Sequence, residues 1–302
     1  MSLVPPDSRF ARRVAAWWET ALTAEVRGPW LSFGRSGLAL AELSVLLFSG
    51  DDTLFTPTRT IPDGLNCGGI SALSLWCATR PVPGAPLAAR LVAVAVLVVV
   101  AIGLYPRWTA VAHWYVAFSV KCAMTQPNGG EQVAMIVTML LVPVCLGDTR
   151  RWQWTRPGGP MAPRFRGAAL AGLFAVRIQL AGVYLAAVVS KLEAPAWRNG
   201  KALWSLLYDP GYGLPPTIRS HVVGLLGDAG LIRVLTGAVL AAEVTIALAL
   251  LWPPPWQRWS FYLICALHGA IVVVMALPSF GVIMIAAGAT AQAPARTSQE
   301  SP

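Results

Sequence analysis

Residues 177–197, RIQLAGVYLAAVVSKLEAPAW, are almost entirely apolar but contain an arginine, a tyrosine and a lysine. An apolar stretch of about 20 residues is long enough to cross a lipid bilayer as a helix. Ionisable side chains are costly inside such a helix, so they are candidates for a functional site. This stretch therefore predicts a membrane-spanning helix that carries part of a polar site.

The composition of the whole chain indicates the same fold class. Hydrophobic residues make up 56% of the 302 residues and charged residues 12%, whereas soluble proteins contain about 25% charged residues. The net charge of +9 would suggest nucleic-acid binding in a soluble protein, but basic loops that orient membrane helices explain it here. We predict an all-α, polytopic membrane bundle that contacts the lipid bilayer and no nucleic acid.

The apolar segments predict seven or eight membrane helices. The predicted spans are 32–50, 87–105, 109–124, 132–147, 168–191, 231–252 and 258–276, followed by a short segment at 279–290. The short segment either spans or re-enters the membrane. Together they define a membrane domain over residues 31–290, with larger loops at 51–86 and 192–229.

The ends of the chain and the loop charges predict an orientation. Residues 1–30 are expected to form a basic amphipathic segment on the membrane surface, with Trp17, Trp18 and Trp30 at headgroup depth. Residues 291–302 are expected to be a disordered tail. Arginines are concentrated in the N-terminal segment and after the fourth span, at Arg9, Arg12, Arg13, Arg27, Arg150, Arg151, Arg156, Arg164 and Arg166. Both regions, and hence the N-terminus, are predicted to be cytoplasmic, so the two larger loops face outward.

The five cysteines fall into two groups. Cys67 and Cys77 lie in the first outward loop, where an oxidising compartment would favour a disulfide between them. Two free thiols are the alternative. Cys122, Cys145 and Cys265 lie in or at the ends of spans and are expected to pack as small hydrophobic residues. No spacing of cysteines and histidines resembles a zinc site, and no metal site is predicted.

Several predicted spans contain titratable side chains. They are Arg35 and Glu42 in the first span, His113 and Lys121 in the third, Arg177 in the fifth, Glu243 in the sixth and His268 in the seventh. The two glutamates are the carboxylates available at depth to neutralise the two arginines, so structural ion pairs are predicted among these four residues. The histidines are either proton carriers or neutral groups satisfied inside the bundle.

Lys191, at the outer end of the fifth span, has two alternative roles. A lysine at a span end commonly extends its ammonium to the headgroups. A desolvated lysine, however, loses its proton readily and can act as a general base. Arg177, Tyr184 and Lys191 are spaced by seven residues, which places them on one stripe of a helix. If Lys191 carries chemistry, we expect Tyr184 to orient it and His268 to lie nearby.

Three groups of residues resemble known families. RIQLAGVYLAAVVSKLEAPAWRNGKALW resembles the R-x-Q-x4-Y-x6-K-L-x4-W-x2-G segment of the HTTM domain, which vitamin K-dependent γ-carboxylase shares with many bacterial proteins. ALHGAIVVVMALPSFGVIMIAAGA resembles the final histidine-containing span of that domain. Within this group, GRSGLALAEL, NCGGISALSLWC and QPNGGEQVAMIVTMLLVPVCLGDTRRWQW resemble the SdpB family, the membrane proteins of sporulation-delaying-protein-type antimicrobial peptide systems.

The resemblance implies an HTTM-like fold in a bacterial cell membrane. In the carboxylase, the lysine at the position of Lys191 deprotonates reduced vitamin K, which implies catalytic roles for Lys191, Tyr184 and His268. The residues that would contact a quinone or hydroquinone are Arg177, Gln179 and Trp197. In SdpB-type systems the membrane protein works with a smaller partner, SdpA, to convert a secreted precursor peptide into a toxin.

Two departures from the carboxylase pattern affect the choice of function. The chain has NGGEQ where carboxylases have Asn-His, so Gly129 replaces the histidine, and 302 residues do not include the large lumenal part of the carboxylase. We therefore predict a membrane protein needed for maturation of a secreted antimicrobial peptide at the outer face. The alternatives are a quinone-dependent carboxylase-like enzyme and a non-catalytic exporter or immunity scaffold, so whether the protein is an enzyme is left open.

Overall fold

A computed structural model describes residues 25–80, 84–125, 128–209, 211, 213–225 and 228–293. Within these ranges the chain is helical, and extended pairing is limited to single contacts such as the bridge between Leu104 and Trp152. The predicted all-α class is confirmed. Most of the predicted surface segment and the tail from residue 294 onward lie outside the described residues.

The described residues form helices of very different lengths. In chain order these are α1 (Pro29–Phe48), α2 (Asp51–Leu54), a 3-10 helix (Gly69–Leu73), α3 (Leu75–Thr79), α4 (Ala85–Ile102), α5 (Pro106–Ala123), α6 (Gly129–Leu146), α7 (Pro163–Glu193), α8 (Pro195–Arg198), α9 (Ala202–Leu207), α10 (Pro216–Leu225), α11 (Ala229–Leu250), α12 (Pro254–Met275) and α13 (Pro278–Ala291). Helices α1, α4 to α7 and α11 to α13 build the bundle. Each of them coincides with one of the predicted segments.

Five helices are long and apolar enough to cross a membrane: α1, α6, α7, α11 and α12. Two apolar stretches are shorter, residues 86–102 of α4 and the whole of α13. Large apolar side chains such as Phe48, at 87% exposure, and Val273, at 77%, cover the surface of the bundle. Extensive apolar surface is typical of contact with lipid. The protein is therefore a helical membrane protein, with five of the predicted seven or eight spans supported by length and composition.

Local chemistry explains where the helices begin. Proline is the first residue of α1, α5, α7, α12 and α13, because its fixed φ and missing N–H suit that position. Asn128 and Asp228 cap α6 and α11 by accepting hydrogen bonds from the N–H groups of Gly130 and Gly230. Helix α7 begins at Pro163, five residues before the predicted span. The prediction began too late because the first turn of α7 is basic and lies outside the apolar run.

The last helix, α13, lies at the centre of the packing. It contacts α1, α6, α7 and α12. Glycines on α1 allow its close approach, since a Cβ on Gly37 would lie 2.8 Å from the Cβ of Ala286 and one on Gly34 would overlap Thr290. Small residues permit such close approach of backbones in membrane bundles. The predicted short eighth segment is thus a buried helix, about 21 Å long, shorter than the hydrocarbon core of a bilayer.

The loops lie at two ends of the bundle, because successive long helices alternate in direction. The disulfide end contains residues 51–80 and the described part of 194–228. The basic end contains residues 25–28, 103–107 and 148–162, together with the first turns of α5 and α7.

The loop of residues 51–80 is tied down at the disulfide end. Cys67 and Cys77 are joined by a disulfide with their Cα atoms 5.7 Å apart. Trp76 is buried beside them and its ring lies 5.7 Å from that of Phe55. The loop is therefore a packed part of the fold.

Candidate active site

A partly buried ion pair joins α7 to α11. The Nζ of Lys191 donates to the Oε1 of Glu243 at 2.6 Å, and the two side chains are 24% and 7% exposed. The ammonium also lies 5.4 Å from the centroid of the Trp197 ring, within the range of a cation–π contact. Glu243 is 14 residues from the start of α11 and seven from its end. The carboxylate of the neighbouring helix therefore holds the ammonium of Lys191.

The chain after α7 folds back to cover this pair. Helix α7 ends at Glu193, and α8 returns so that the carbonyl of Gly200 accepts a hydrogen bond from the Oγ1 of Thr236 on α11 at 3.4 Å. Gly200 has a φ of +67°, and a Cβ there would collide with Arg233. Glycine adopts this conformation without strain and leaves room for the arginine. Gly200 therefore allows the covering segment to pack on α11.

A second buried pair joins α7 to α12. The hydroxyl of Tyr184 lies 2.9 Å from the Nε2 of His268, and both residues are almost completely buried. The His268 ring also contacts the ring of Phe280 on α13, with 5.3 Å between centroids. The expectation that Tyr184 orients Lys191 is corrected, because seven residues of helix separate them by about 10 Å along the axis. The neighbouring helix supplies a nearer partner, His268.

The two pairs form one polar cluster. Lys191 and His268 interact electrostatically, and so do Glu243 and Tyr184. Among the described residues, the Nδ1 of His268 and the Oε2 of Glu243 are buried and have no hydrogen-bond partner. Buried polar atoms are nearly always paired, so each unpaired atom requires an explanation. We refer to Tyr184, Lys191, Glu243 and His268 as the lysine cluster.

Of the three residues expected to contact a quinone, only Trp197 touches the lysine cluster. Arg177 donates from Nε to the carbonyl of Ala291 at 2.8 Å and from a terminal nitrogen to that of Ala293 at 2.6 Å. It thus satisfies carbonyl groups at the C-terminal end of α13. Gln179 is half-buried two residues further on, a spacing that turns it away from the face of Arg177. The three side chains therefore do not meet at one point, and their contact with a quinone stays a prediction.

The predicted ion pairs between arginines and glutamates are not formed. Arg35 donates to the Oε1 of Gln153 at 2.9 Å and to the Oγ1 of Thr109 at 2.5 Å. Glu42 lies 3.0 Å from the Nε2 of His113, and both side chains are 2% exposed. Arg35 and Glu42 share a face of α1, as predicted, but α5 lies along that face. Each of them therefore meets a different residue of α5.

Glu131, between the predicted spans 109–124 and 132–147, is a further buried carboxyl group that was not predicted. Glu131 is 2% exposed at the start of α6, where its Oε1 accepts from the Nδ2 of Asn128 at 3.1 Å. It interacts electrostatically with Glu42. The spacing of Asn128 and Glu131, a helix cap followed three residues later by glutamate, was the available signal. Gly129 lies between them, and a Cβ there would be 3.8 Å from the Phe280 ring.

Metal chemistry is not indicated by the described residues. No group of three or more histidine, cysteine, aspartate or glutamate residues in these ranges is arranged to hold a metal ion. Cys122, Cys145 and Cys265 are free thiols, and Cys145 is fully buried. The chemistry available to the lysine cluster is therefore proton transfer and hydrogen bonding, since it combines an amine, a carboxylate, a phenol and an imidazole.

These features define a helical membrane protein with a buried acid–base cluster. Comparison with known proteins identifies its family. The chain is 30% identical to uncharacterized protein YitO of Bacillus subtilis over 272 residues, which cover 88% of this chain and 86% of YitO. It is 28% identical to sporulation-delaying protein SdpB of the same organism over 254 residues, 84% of this chain and 77% of SdpB.

The chain belongs to the family that includes YitO and SdpB, and the predicted membership in an SdpB-like family is confirmed. No protein-family model matches the sequence. No solved structure matches it either. The relation to the HTTM domain stays a prediction from the residues in register with its lysine segment.

Proposed function

We propose that this protein is required to mature a secreted antimicrobial peptide in a sporulation-delaying-protein-type system. The observation that carries this proposal is the alignment with sporulation-delaying protein SdpB over 84% of the chain. The described residues of this chain form a membrane bundle, and the lysine cluster joins three of its helices. The proposed partners are the secreted precursor peptide and a smaller SdpA-like protein.

The lysine cluster is the proposed site of action. Its two pairs come from three separate helices, and two of its buried atoms have no partner among the described residues. A bound substrate can supply a donor to the Oε2 of Glu243 and can exchange a hydrogen bond with the Nδ1 of His268. Lys191 is the proposed base, because transfer of its proton to Glu243 would leave a neutral amine inside the bundle.

The proposed orientation places the disulfide end outside the cell and the N-terminus in the cytoplasm. The Cys67–Cys77 disulfide supports an outward position, because disulfides persist in oxidising compartments. The arginines of the basic end support a cytoplasmic position for that end. The lysine cluster is then reached from the outer side, where a secreted precursor arrives.

The test compares Lys191→Ala and Lys191→Arg with wild type in a peptide-producing strain. Peptide mass, killing activity and the amount of protein in the membrane are measured for each strain. Loss of mature peptide in both variants at a normal protein level would support the proposal, since arginine keeps the charge but does not release its proton. The mass of the accumulated precursor would identify the missing step.

Lys201→Ala serves as the matched control, because Lys201 is an exposed lysine ten residues after Lys191. It is expected to leave peptide production unchanged. If the Lys191 variants also leave it unchanged, the cluster is structural and the protein acts as an exporter or immunity scaffold.

A carboxylase-like enzyme is the second candidate, favoured by the Trp197 ring over Lys191. Failure of the purified protein to bind or oxidise a hydroquinone would remove that candidate.

A further inference from the structure

Three exposed or half-exposed arginines at the basic end lie against aromatic rings. The guanidinium carbon of Arg107 is 5.4 Å from the centroid of the Trp108 ring and 5.9 Å from that of Phe165. That of Arg164 is 5.1 Å from the same Phe165 ring. The guanidinium carbon of Arg151 is 5.8 Å from the Tyr105 ring. We call Arg107, Arg151 and Arg164 the arginine cluster.

The positive charge of the arginine cluster is not compensated within the described part of the chain. None of the three arginines forms an ion pair there. The acidic residues of the basic end are already engaged, Glu25 by Arg27 and Asp148 by Arg150, each at 2.7 Å. Arg107 and Arg164 share one phenyl ring although their charges repel. An anion between them would remove this repulsion.

The surface that carries the cluster is held rigidly. The carbonyl of Arg151 accepts from the N–H of Tyr105 at 2.8 Å, and the N–H of Gln153 donates to the carbonyl of Gly103 at 2.9 Å. The indole of Trp152 donates to the carbonyl of Ile102 at 2.9 Å. Tyr105 has a φ of +45°, a conformation that a bulky residue keeps only where its surroundings hold it. The guanidinium groups are thus displayed on a fixed framework.

Two helix starts add to the positive potential. Helices α5 and α7 begin at Pro106 and Pro163, and neither has a side-chain cap at the preceding residue. In each helix the proline has no N–H, and the N–H of the third residue, Trp108 or Phe165, donates to the carbonyl of Tyr105 or Ala162. The N–H of the second residue is therefore the one that can favour a nearby anion. Arg107 and Arg164 each occupy the second position of one of these helices. Charge and backbone polarity therefore act in the same direction at this site.

The surroundings of the cluster place its anion at the membrane surface. Trp108 is 73% exposed, and Ile102 and Val111 on the adjoining helices are also exposed. Exposed indole rings beside apolar side chains are typical of the headgroup region of a bilayer. Guanidinium groups bind phosphate oxygens through paired hydrogen bonds. We propose that the arginine cluster binds the phosphate group of an anionic phospholipid, whose acyl chains lie along α4 and α5.

The experiment measures binding of phosphatidylglycerol and cardiolipin to the purified full-length protein in neutral detergent, by native mass spectrometry. Wild type is compared with Arg107→Gln/Arg164→Gln and with Arg107→Lys/Arg164→Lys. A basic residue near a lipid surface strengthens binding roughly fivefold, so the glutamine variant should bind about 30-fold more weakly. The lysine variant should retain most of the binding, because its charge is kept. Thermal unfolding without lipid shows whether each variant is folded.

Arg59→Gln is the matched control, an exposed arginine at the disulfide end, and it should bind as wild type does. Equal binding by all four proteins would overturn the proposal. Phosphatidylcholine and inorganic phosphate are the two comparison ligands. Phosphatidylcholine that binds as tightly as the anionic lipids would also overturn it. Inorganic phosphate that binds as tightly as the lipids, and competes with them, would assign the cluster to a soluble phosphate compound instead.

Discussion

Two buried polar regions of this molecule differ in how completely their hydrogen bonds are satisfied. Around Arg35, near the basic end, Gln153 and Thr109 accept from the guanidinium. The amide of Gln153 in turn donates to the Oγ of Ser36 at 2.8 Å and to the carbonyl of Ser32 at 3.3 Å. In the lysine cluster, His268 and Glu243 each keep a buried atom without a partner among the described residues.

The difference separates a structural network from a candidate site. A polar network whose members are all satisfied fixes the relative positions of the elements that it joins. Here it locks the residue 148–155 loop to α1 and α5. Buried polar atoms without a partner lower stability, and each of them requires an explanation, such as a bound molecule or a catalytic role. The contrast therefore supports a structural role for Arg35 and a functional role for the lysine cluster.

The largest expected effect on stability is that of Arg35→Ala. The change removes the donors that satisfy Gln153 and Thr109 and leaves a cavity between α1 and α5. We expect it to lower the free energy of unfolding by about 3 kcal/mol. Thermal unfolding in detergent, together with the amount of protein in the membrane, measures this loss. Arg59→Ala, at an exposed position, should change stability by less than about 0.5 kcal/mol, and similar losses in both variants would refute the contrast.

A smaller effect on stability is expected for Lys191→Met. It leaves the Glu243 carboxylate without its cation, at a cost of about 2 kcal/mol. The double variant Lys191→Met/Glu243→Gln should recover at least half of that loss, because a neutral amide replaces the unpaired carboxylate. Both variants should still fail to produce mature peptide. Recovery of peptide production along with stability would show that the pair has only a structural role.

The smallest effect is expected for Tyr184→Phe. It removes one hydroxyl and leaves His268 without its remaining hydrogen bond, at a cost of about 1 kcal/mol. Because the ring is kept, packing against α12 should persist. Tyr262→Phe, on the exposed surface of α12, is the control and should be neutral. Peptide yield per protein molecule should fall for Tyr184→Phe alone, and an unchanged yield would exclude Tyr184 and its hydrogen bond from the function.

Most of the fold was predictable from the apolar segments. Each of the eight predicted segments coincides with a helix, since long apolar runs have few alternatives in a membrane. The start of α7 was placed too late, because its basic first turn interrupts the apolar pattern although Pro163 suits a helix start. The central position of α13 was not predictable from its short apolar run. It depends on the glycines of α1, which belong to a helix some 250 residues earlier.

The candidate site was predictable in its members but not in its pairings. Lys191, Tyr184 and His268 were identified, and they contribute to one cluster. Helical spacing shows which side chains share a face, but it does not show which neighbour meets that face. For this reason Glu243 was assigned to an arginine instead of to Lys191. Gln153 was not identified at all, because a polar residue in a loop carries no periodic signal.

The amino-acid sequence by itself determined that this protein is a helical membrane bundle of the family that includes SdpB, with charged groups inside it. Hydrophobicity and residue identity are local properties, and they are read without knowing which helices touch. Only the tertiary structure decided that Lys191 meets Glu243, that Tyr184 meets His268 and that Arg177 meets the end of α13. Such contacts depend on how the helices cross and on which small residues allow close approach, so they exist only once the bundle is packed.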